Sequence, residues 1–218
     1  RVYNVAMAVA APVLAASVYS PILFGKRLWR ETRIAIFEQV VDSRGARAGR
    51  RELLGRVRFG EKWVESSVLE IFRADVARFR QIVGASPETG SDPFEDIDAG
   101  RAPTLAALQA FNSCVYRWMR PCYGITGGKP HLRIENRALP SGPTLEDEVA
   151  NAAFWIGLLS AGPGEWPDLT SRLDFKEARA NLTKAAREGL SCLCTGLDEL
   201  AIPARELIPE ILLPVARR

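Results

Sequence analysis

Apolar and polar positions recur along the chain with two different periods, and each period predicts its own set of elements. The helical period predicts six helices: residues 3–18, 62–82, 104–111, 144 to about 161, 174–190 and 198–216. The run 33–41 is rich in β-formers and fits either a strand or a short buried helix. Ser113–Arg120 and Lys129–Leu139 read as two strands, and the Gly-rich turn at Tyr123–Gly128 predicts an antiparallel hairpin. The resulting class is α+β: a partial antiparallel sheet packed by helices, with a helical C-terminal tail.

Local signals give these elements boundaries and faces. Thr144 is a candidate N-cap with Asp147 three residues on, and Asp174 is a candidate cap for the next helix. The apolar side of the helix after Thr144 is predicted from Val149, Ala152, Ala153, Ile156 and Leu159. That of 62–82 is predicted from Val64, Val68, Ile71, Phe72, Val76 and Phe79. The polar stretch 84–103 is rich in Gly, Pro and Asp and predicts a mobile linker. The chain is expected to form a first unit, residues 1–165, which contains this linker, and a helical tail, residues 166–218, which packs on that unit.

The uncharged stretch Val5–Phe24 has the length of a membrane span. Pro12 and Pro21 interrupt it, and small and polar residues dilute it. A buried Ala-rich helix ending before Pro21 is therefore favoured over a transmembrane segment. We expect no membrane partner.

Charge and cysteine usage exclude several function classes. The 218 residues carry 29 Lys+Arg against 26 Asp+Glu, and the net charge of +3 argues against a dedicated nucleic-acid domain. A single histidine, His131, excludes metal sites built from two or more histidines of one chain. The four cysteines lack zinc-site spacing and predict free buried thiols in a reducing compartment, hence a cytoplasmic location.

Arginine far outnumbers lysine, and composition does not decide between coding bias and a need for bidentate phosphate or carboxylate binding. Residues 43–58 are predicted to form a basic loop, whose arginines are either solvated or in contact with a phosphate or nucleic acid. Its arginines fit a solvated loop better than a phosphate contact.

The segment 131–137, His-Leu-Arg-Ile-Glu-Asn-Arg, is the most informative chemically. On a strand its side chains alternate, so His131, Arg133, Glu135 and Arg137 share one face. A carboxylate between two guanidiniums stays ionised and suits a divalent cation, while the guanidiniums can bind phosphate oxygens. A solvent-facing ladder of ion pairs is an equally good interpretation.

The preceding strand brings further cations and aromatic rings to the same hairpin. Tyr116, Trp118 and Arg120 are predicted to share one face of it. Cations, one carboxylate and flat apolar surface are the components of a nucleotide–metal site, although Tyr116 and Trp118 also fit an ordinary core.

The pattern Arg133-Ile-Glu-x-Arg-(x)2-Pro140, followed by Val149-Ala-Asn-Ala-Ala-Phe154, resembles carboxylate–amine ligases related to glutamate–cysteine ligase. More distantly it resembles glutamine synthetase. Ser20-Pro21-(x)3-Gly25-(x)7-Arg33 and Trp118-Met-Arg-Pro121 are similar to further motifs of that family, in the same order.

The resemblance implies ATP-dependent amide-bond formation through an acyl phosphate, with ATP and Mg²⁺ as cofactors and a glutamate-like acid and an amine as substrates. By position it makes Glu135 a metal ligand and Arg120 and Arg137 the catalytic anion contacts. Arg33, Arg120, Arg133 and Arg137 would bind the nucleotide.

The chain departs from the family at Tyr19, Phe111 and Met119, where relatives carry polar residues. It also lacks a Glu-x-Glu strand segment, so it resembles the C-terminal half of such a ligase. Its expected partner is then the N-terminal half of the same protein, and the isolated chain is expected to be inactive. The alternatives are a non-catalytic descendant that binds a nucleotide or a protein, and a helical interaction domain at 174–218 that forms a homo-oligomer.

Overall fold

The computed structural model describes residues 1–40, 55–82 and 92–218. Most of the predicted basic loop and residues 84–91 of the predicted linker lie outside these ranges. The helices are α1 (Val2–Ser17), α2 (Thr32–Val40), α3 (Leu69–Arg78), α4 (Pro93–Asp98), α5 (Ala106–Ser113), α6 (Leu145–Glu165), α7 (Leu169–Arg172), α8 (Phe175–Glu188), α9 (Ala204–Leu207) and α10 (Leu213–Ala216). The strands are β1 (Ile22–Leu23), β2 (Lys26–Arg27), β3 (Val57–Arg58), β4 (Tyr116–Arg117), β5 (Met119–Thr126), β6 (Lys129–Asn136), β7 (Leu193–Thr195) and β8 (Ala201–Pro203). The α+β class is confirmed.

α1 is the centre of the main hydrophobic core. Its Ala-rich sequence lets neighbouring helices approach closely, and it packs against α6 and α8. Val13 and Leu14 have no exposed surface, and the same core continues through Leu158 of α6 and Leu182 of α8. None of the helices among the described residues combines the length and hydropathy that crossing a membrane requires.

The strands pair two by two. β5 and β6 form an antiparallel hairpin as predicted, with Arg120 opposite Glu135 and Thr126 opposite Lys129. Its first strand is Met119–Thr126 and not Ser113–Arg120, because the ladder continues through Tyr123–Thr126, which were predicted as turn. The two-residue turn between β5 and β6 is Gly127-Gly128, and both glycines have positive φ, as a tight hairpin turn matching the strand twist requires. β3 adds a parallel partner to β4, which the sequence pattern did not predict.

Two predicted helices differ from the observed ones. The run predicted over 33–41 adopts the helical alternative as α2 in its described part, up to Val40, but of the residues of α2 only Thr32 and Ile34 are buried. The helix predicted over 62–82 is confined to α3. Upstream of it, the amide of Asn4 binds the backbone N–H and C=O of Val64, and Glu70 accepts hydrogen bonds from the N–H groups of the residues before the helix. The backbone groups of these residues therefore bond to side chains and not to the backbone of a helix.

α6 begins as predicted, with the Asp147 N–H bonded to the Thr144 hydroxyl at 3.2 Å. Its predicted apolar side is wrong. Val149 and Ile156 are each 60% exposed, and the helix buries Trp155, Leu158 and Gly162 instead. The helix carries small and apolar residues of its own on every side. Periodicity therefore does not single out the face that α1 and α10 cover.

Further differences concern loops. Pro93–Asp98 form α4, capped by the Asp92 carboxylate, within the stretch predicted as a linker. Arg56 and Arg58 were predicted to be solvated, but Arg56 is buried and the Arg58 side chain is only 9% exposed. The tail predicted as one helix from 198 starts in a short 3-10 turn at Leu197–Glu199, continues as β8 and becomes α-helical at Ala204. All four cysteines are free and buried, as predicted.

Candidate anion site at the β5–β6 hairpin

The hairpin register brings the predicted polar row of β6 against matching positions of β5. Arg120 stands opposite Glu135, Cys122 opposite Arg133, and Gly124 opposite His131. Paired residues of an antiparallel ladder point to the same side of the sheet. The row predicted from β6 alone is therefore a two-strand surface.

Glu135 is the centre of a three-residue ion cluster. Its Oε2 accepts hydrogen bonds from Nη2 and Nε of Arg120 at 2.7 and 3.2 Å, and its Oε1 lies 3.3 Å from Nε of Arg137. The Cys122 thiol contacts the same Oε2 at 3.4 Å. Partial burial alone would raise the pKa of Glu135, but the hydrogen bonds and charge of Arg120 outweigh it and lower that pKa. The carboxylate is therefore ionised at neutral pH.

Arg137 is held in place from several directions. Its backbone N–H donates to the Trp118 carbonyl at 2.8 Å, and its guanidinium lies over the Tyr116 ring, 4.4 Å from the ring centre. Its Nη1 is buried and has no hydrogen-bond partner among the described residues. An unpaired buried N–H of a charged group is costly, so this atom points to a missing acceptor.

Arg33 reaches the same place from α2, but its bonds are internal. Nε pairs with Glu31 at 3.1 Å, while Nη1 and Nη2 donate to the backbone carbonyls of Arg137 and Ala138. Glu31 is fully buried and also accepts from the Tyr19 N–H and the Ser20 hydroxyl. The Ser-Pro…Arg segment thus fixes the backbone just after β6. A nucleotide contact by Arg33 stays a prediction.

Asn136 belongs to the site, although sequence alternation assigned it to the apolar side. Its Oδ1 accepts from the N–H groups of Ala138 and Leu139 at 3.0 and 3.3 Å. This Asx turn fixes the amide orientation, and Nδ2 is left buried without a partner among the described residues. The available signal was an Asn at the end of a strand, where such turns are common.

These residues line a cavity of about 210 Å³. It is bounded by Arg33, Phe37, Val57, Tyr116, Arg117, Trp118, Glu135, Asn136 and Arg137. Both unpartnered donors, Asn136 Nδ2 and Arg137 Nη1, come from its lining. The arrangement suits a small anionic group with several acceptor oxygens, such as a carboxylate or a phosphoryl group.

Arg133 and His131 lie apart from this cavity. Arg133 is exposed and borders a second cavity of about 180 Å³, together with Arg120, Cys122 and Tyr123. His131 Nε2 lies 2.9 Å from the Thr126 hydroxyl across the hairpin. The structure therefore divides the predicted row: Glu135 and Arg137 face the first cavity, Arg120 and Arg133 the second.

The described residues do not fit a magnesium site by themselves. In the parts of the chain that the structure describes, no three His, Cys, Asp or Glu side chains are grouped as metal ligands. Glu135 contributes a single carboxylate, and guanidinium groups already contact both of its oxygens. Mg²⁺ at this position needs ligands from elsewhere.

No family model, curated protein or solved structure matches this chain.

Proposed function

We propose that the chain carries the anion-binding part of an ATP-dependent carboxylate–amine ligase of the glutamate–cysteine ligase type. The observation that carries this proposal is the pair of unpartnered donors, Arg137 Nη1 and Asn136 Nδ2, beside a cavity of about 210 Å³. The ordered sequence motifs around Arg33, Arg120 and Glu135 support the same family.

The proposed reaction needs donors for anionic oxygens at two stages. A carboxylate oxygen of a glutamate-like acid attacks the γ-phosphorus of ATP, and ADP leaves. The amine then attacks the acyl carbon, and phosphate leaves with the oxygen that it received. Both stages develop negative charge on oxygens, which fixed guanidinium and amide donors stabilise.

Each residue has a role in this proposal that follows from its contacts. Arg137 binds the anionic oxygens, and the Tyr116 ring beneath it restricts its guanidinium to one plane. Glu135 fixes the edge of Arg137 and links it to Arg120. ATP and Mg²⁺ remain proposed cofactors, and carboxylates outside the described residues are expected to complete the metal site.

A second candidate is a non-catalytic protein that binds an anion or a nucleotide on the same scaffold. The observation that favours it is the state of Glu135, whose two oxygens are both occupied by arginines. Such a protein binds glutamate or ATP in the cavity without forming product.

The test compares the parent chain with Arg137→Ala and Arg137→Lys. Glutamate and ATP binding are measured by calorimetry, and phosphate release is measured with ATP, Mg²⁺, glutamate and a panel of amines. Arg137→Ala is expected to weaken binding at least about tenfold, because one charge-assisted contact is worth roughly that much. Arg137→Lys is expected to restore only part of it, since lysine lacks the planar fork.

Arg73→Ala is the matched control, since it removes one exposed cation of α3 that does not line the cavity beside Arg137. Amide product in the parent supports the ligase, whereas binding without product supports the second candidate. Equal binding by the parent and by Arg137→Ala contradicts both.

A further inference from the structure

A larger cleft of about 650 Å³ lies between α8 and the β3 region. Glu135 and Arg137 do not line it, although Val57 borders both this cleft and the cavity beside them. The volume of the cleft is in the range of small-molecule sites, which are usually about 300–1,000 Å³. Arg58, which lines the cleft, comes from the basic loop for which a phosphate contact is the less favoured sequence prediction.

One face of α8 gives the cleft its positive charge. Lys176, Arg179, Lys184 and Arg187 all line it. They recur at helical spacing, while α8 also packs on α1 and buries Ala178 and Ala185. From Lys176 to Arg187 the helix rises about 16 Å. A single phosphate can meet only neighbouring members of such a row, so engaging the whole row takes a ligand with several anionic groups.

Several of these cations lack a protein counter-charge. Among the described residues, no carboxylate lies within ion-pair distance of Lys176, Arg179 or Arg187, and Arg187 lies over the Trp29 ring. Lys184 has only a long contact of 4.0 Å to Glu177. Like charges along one helix face repel each other, which an anionic ligand would relieve.

The opposite wall supplies a second, independent observation. Arg58 lines the cleft with a side chain that is only 9% exposed, and its Nε is buried without a hydrogen-bond partner among the described residues. Its other nitrogens bind Glu61 and Asp75. The Arg58 guanidinium also lies over the Phe79 ring, 4.7 Å from its centre. This wall therefore adds a fixed cation, with one N–H left unpartnered by the described residues, to the four cations of α8.

The acids that line the cleft leave this excess of positive charge in place. Glu61 is shared by Arg58, Arg78 and Arg117. Burial raises the pKa of Glu38, with a smaller opposing effect from the Trp118 N–H. Glu188 is exposed at the edge.

We propose that the cleft between α8 and β3 binds a small molecule that carries several linked phosphate groups. The concave shape favours such a ligand over a nucleic-acid strand or a membrane surface, which need open surfaces. This proposal does not depend on the ligase proposal, because it uses other residues and another cavity.

The test measures binding of inorganic tripolyphosphate to the full chain by calorimetry. The parent is expected to bind saturably, and the double variant Lys176→Ala/Arg179→Ala at least about tenfold more weakly, because one charge-assisted contact is worth roughly that factor. Both side chains are exposed and alanine favours helix, so α8 is expected to persist. Circular dichroism checks this.

Arg205→Ala/Arg217→Ala is the matched control, since it removes two exposed cations that do not line the cleft. It is expected to bind tripolyphosphate within about twofold of the parent, because distant surface charges are screened. Arg137→Ala weakens any tripolyphosphate binding at the smaller cavity beside Arg137, but it is expected to keep the saturable site that Lys176→Ala/Arg179→Ala weakens, which separates this proposal from the previous one.

The absence of saturable binding in the parent overturns the proposal. An equal loss of tripolyphosphate binding in the two double variants also overturns it, because such a loss means general charge attraction. A loss of the saturable site in Arg137→Ala overturns it too, because it places the ligand in the smaller cavity. A single-stranded RNA oligomer that outcompetes tripolyphosphate overturns it in favour of a nucleic-acid surface.

Discussion

Asp75 is the carboxylate on which two buried guanidiniums depend. It accepts hydrogen bonds from Nε and Nη2 of Arg117 at 2.9 and 2.7 Å, and it also binds Arg58. Arg117 and Asp75 are both nearly inaccessible to solvent. Burial alone would lower the pKa of Arg117, and the bonds to Asp75 outweigh it and raise that pKa. The pair joins α3 to β4.

Asp75→Ala is expected to lower the free energy of unfolding by about 3–5 kcal/mol, because it removes the main counter-charge of two largely buried guanidiniums and leaves them only the shared Glu61. Asp198→Ala is the matched control, since it removes a carboxylate bonded to Arg172 at the exposed surface. Denaturant unfolding should show a large loss for the first variant and little change for the second. Equal losses of unfolding free energy in the two variants would mean that burying the Asp75–Arg117 pair does not add to its contribution to stability.

Tyr3 connects α1 to the hairpin, because its hydroxyl donates to the Met119 carbonyl at 2.8 Å. Burial raises the pKa of Tyr3 from its ordinary value of 10.0 to about 12. The folded protein thus favours the neutral phenol. The resulting stabilisation is complete below pH 10 and is lost as the pH rises through 12.

Tyr3→Phe should therefore flatten the fall in stability on the alkaline side, while it removes one hydrogen bond worth about 0.5–1.5 kcal/mol at neutral pH. Thermal unfolding of both proteins at a series of alkaline pH values measures the difference. Parallel pH profiles for parent and variant would contradict the assignment.

Residue alternation predicted part of the site and missed the rest. It placed Glu135 and Arg137 on one face, and both border the same cavity. It also grouped Arg133 with them, but Arg133 borders another cavity. It did not single out Asn136, which lines the same cavity as Glu135 and whose amide is fixed by the Asx turn that begins there.

At the scale of elements, α6 shows where periodicity is ambiguous. Val149 and Ile156 fit an apolar stripe, yet the buried stripe runs through Trp155, Leu158 and Gly162. Small residues decide the contact, because α10 passes close to Gly157. A Cβ built there would lie 2.2 Å from the Ala216 carbonyl oxygen.

Gly157→Ala is expected to destabilise the protein by about 1–3 kcal/mol, because backbone must move to admit the methyl group. Gly164→Ala in the same helix is the matched control: a Cβ there meets nothing within 4 Å. It should stabilise α6 by up to about 1 kcal/mol through helix propensity. Thermal melts of both variants test the pair, and a neutral Gly157→Ala would contradict the close helix contact.

At the scale of the whole molecule, one core joins the two ends of the chain. α1 is covered by α6 and α8, and α10 packs on α6. Val13, Leu182 and Val215 all belong to this core. The C-terminal region is therefore part of what buries α1.

A chain ending at Trp166 is expected to lose its cooperative thermal transition, because removing α8 exposes the apolar surface of α1. A chain ending at Ala216 loses only two exposed arginines and should keep the transition. Circular dichroism melts distinguish the two. An unchanged transition in the shorter chain would show that the first 166 residues fold alone.

The sequence by itself determined the α+β class, α1, the hairpin, and the caps at Thr144 and Asp174, because these depend on short-range periodicity and local hydrogen bonds. Only the tertiary structure decided which side of α6 is buried, that Arg56 and Arg58 are inside, and which cations border each cavity. Those features depend on contacts between residues far apart in the chain, and local patterns carry no information about distant partners.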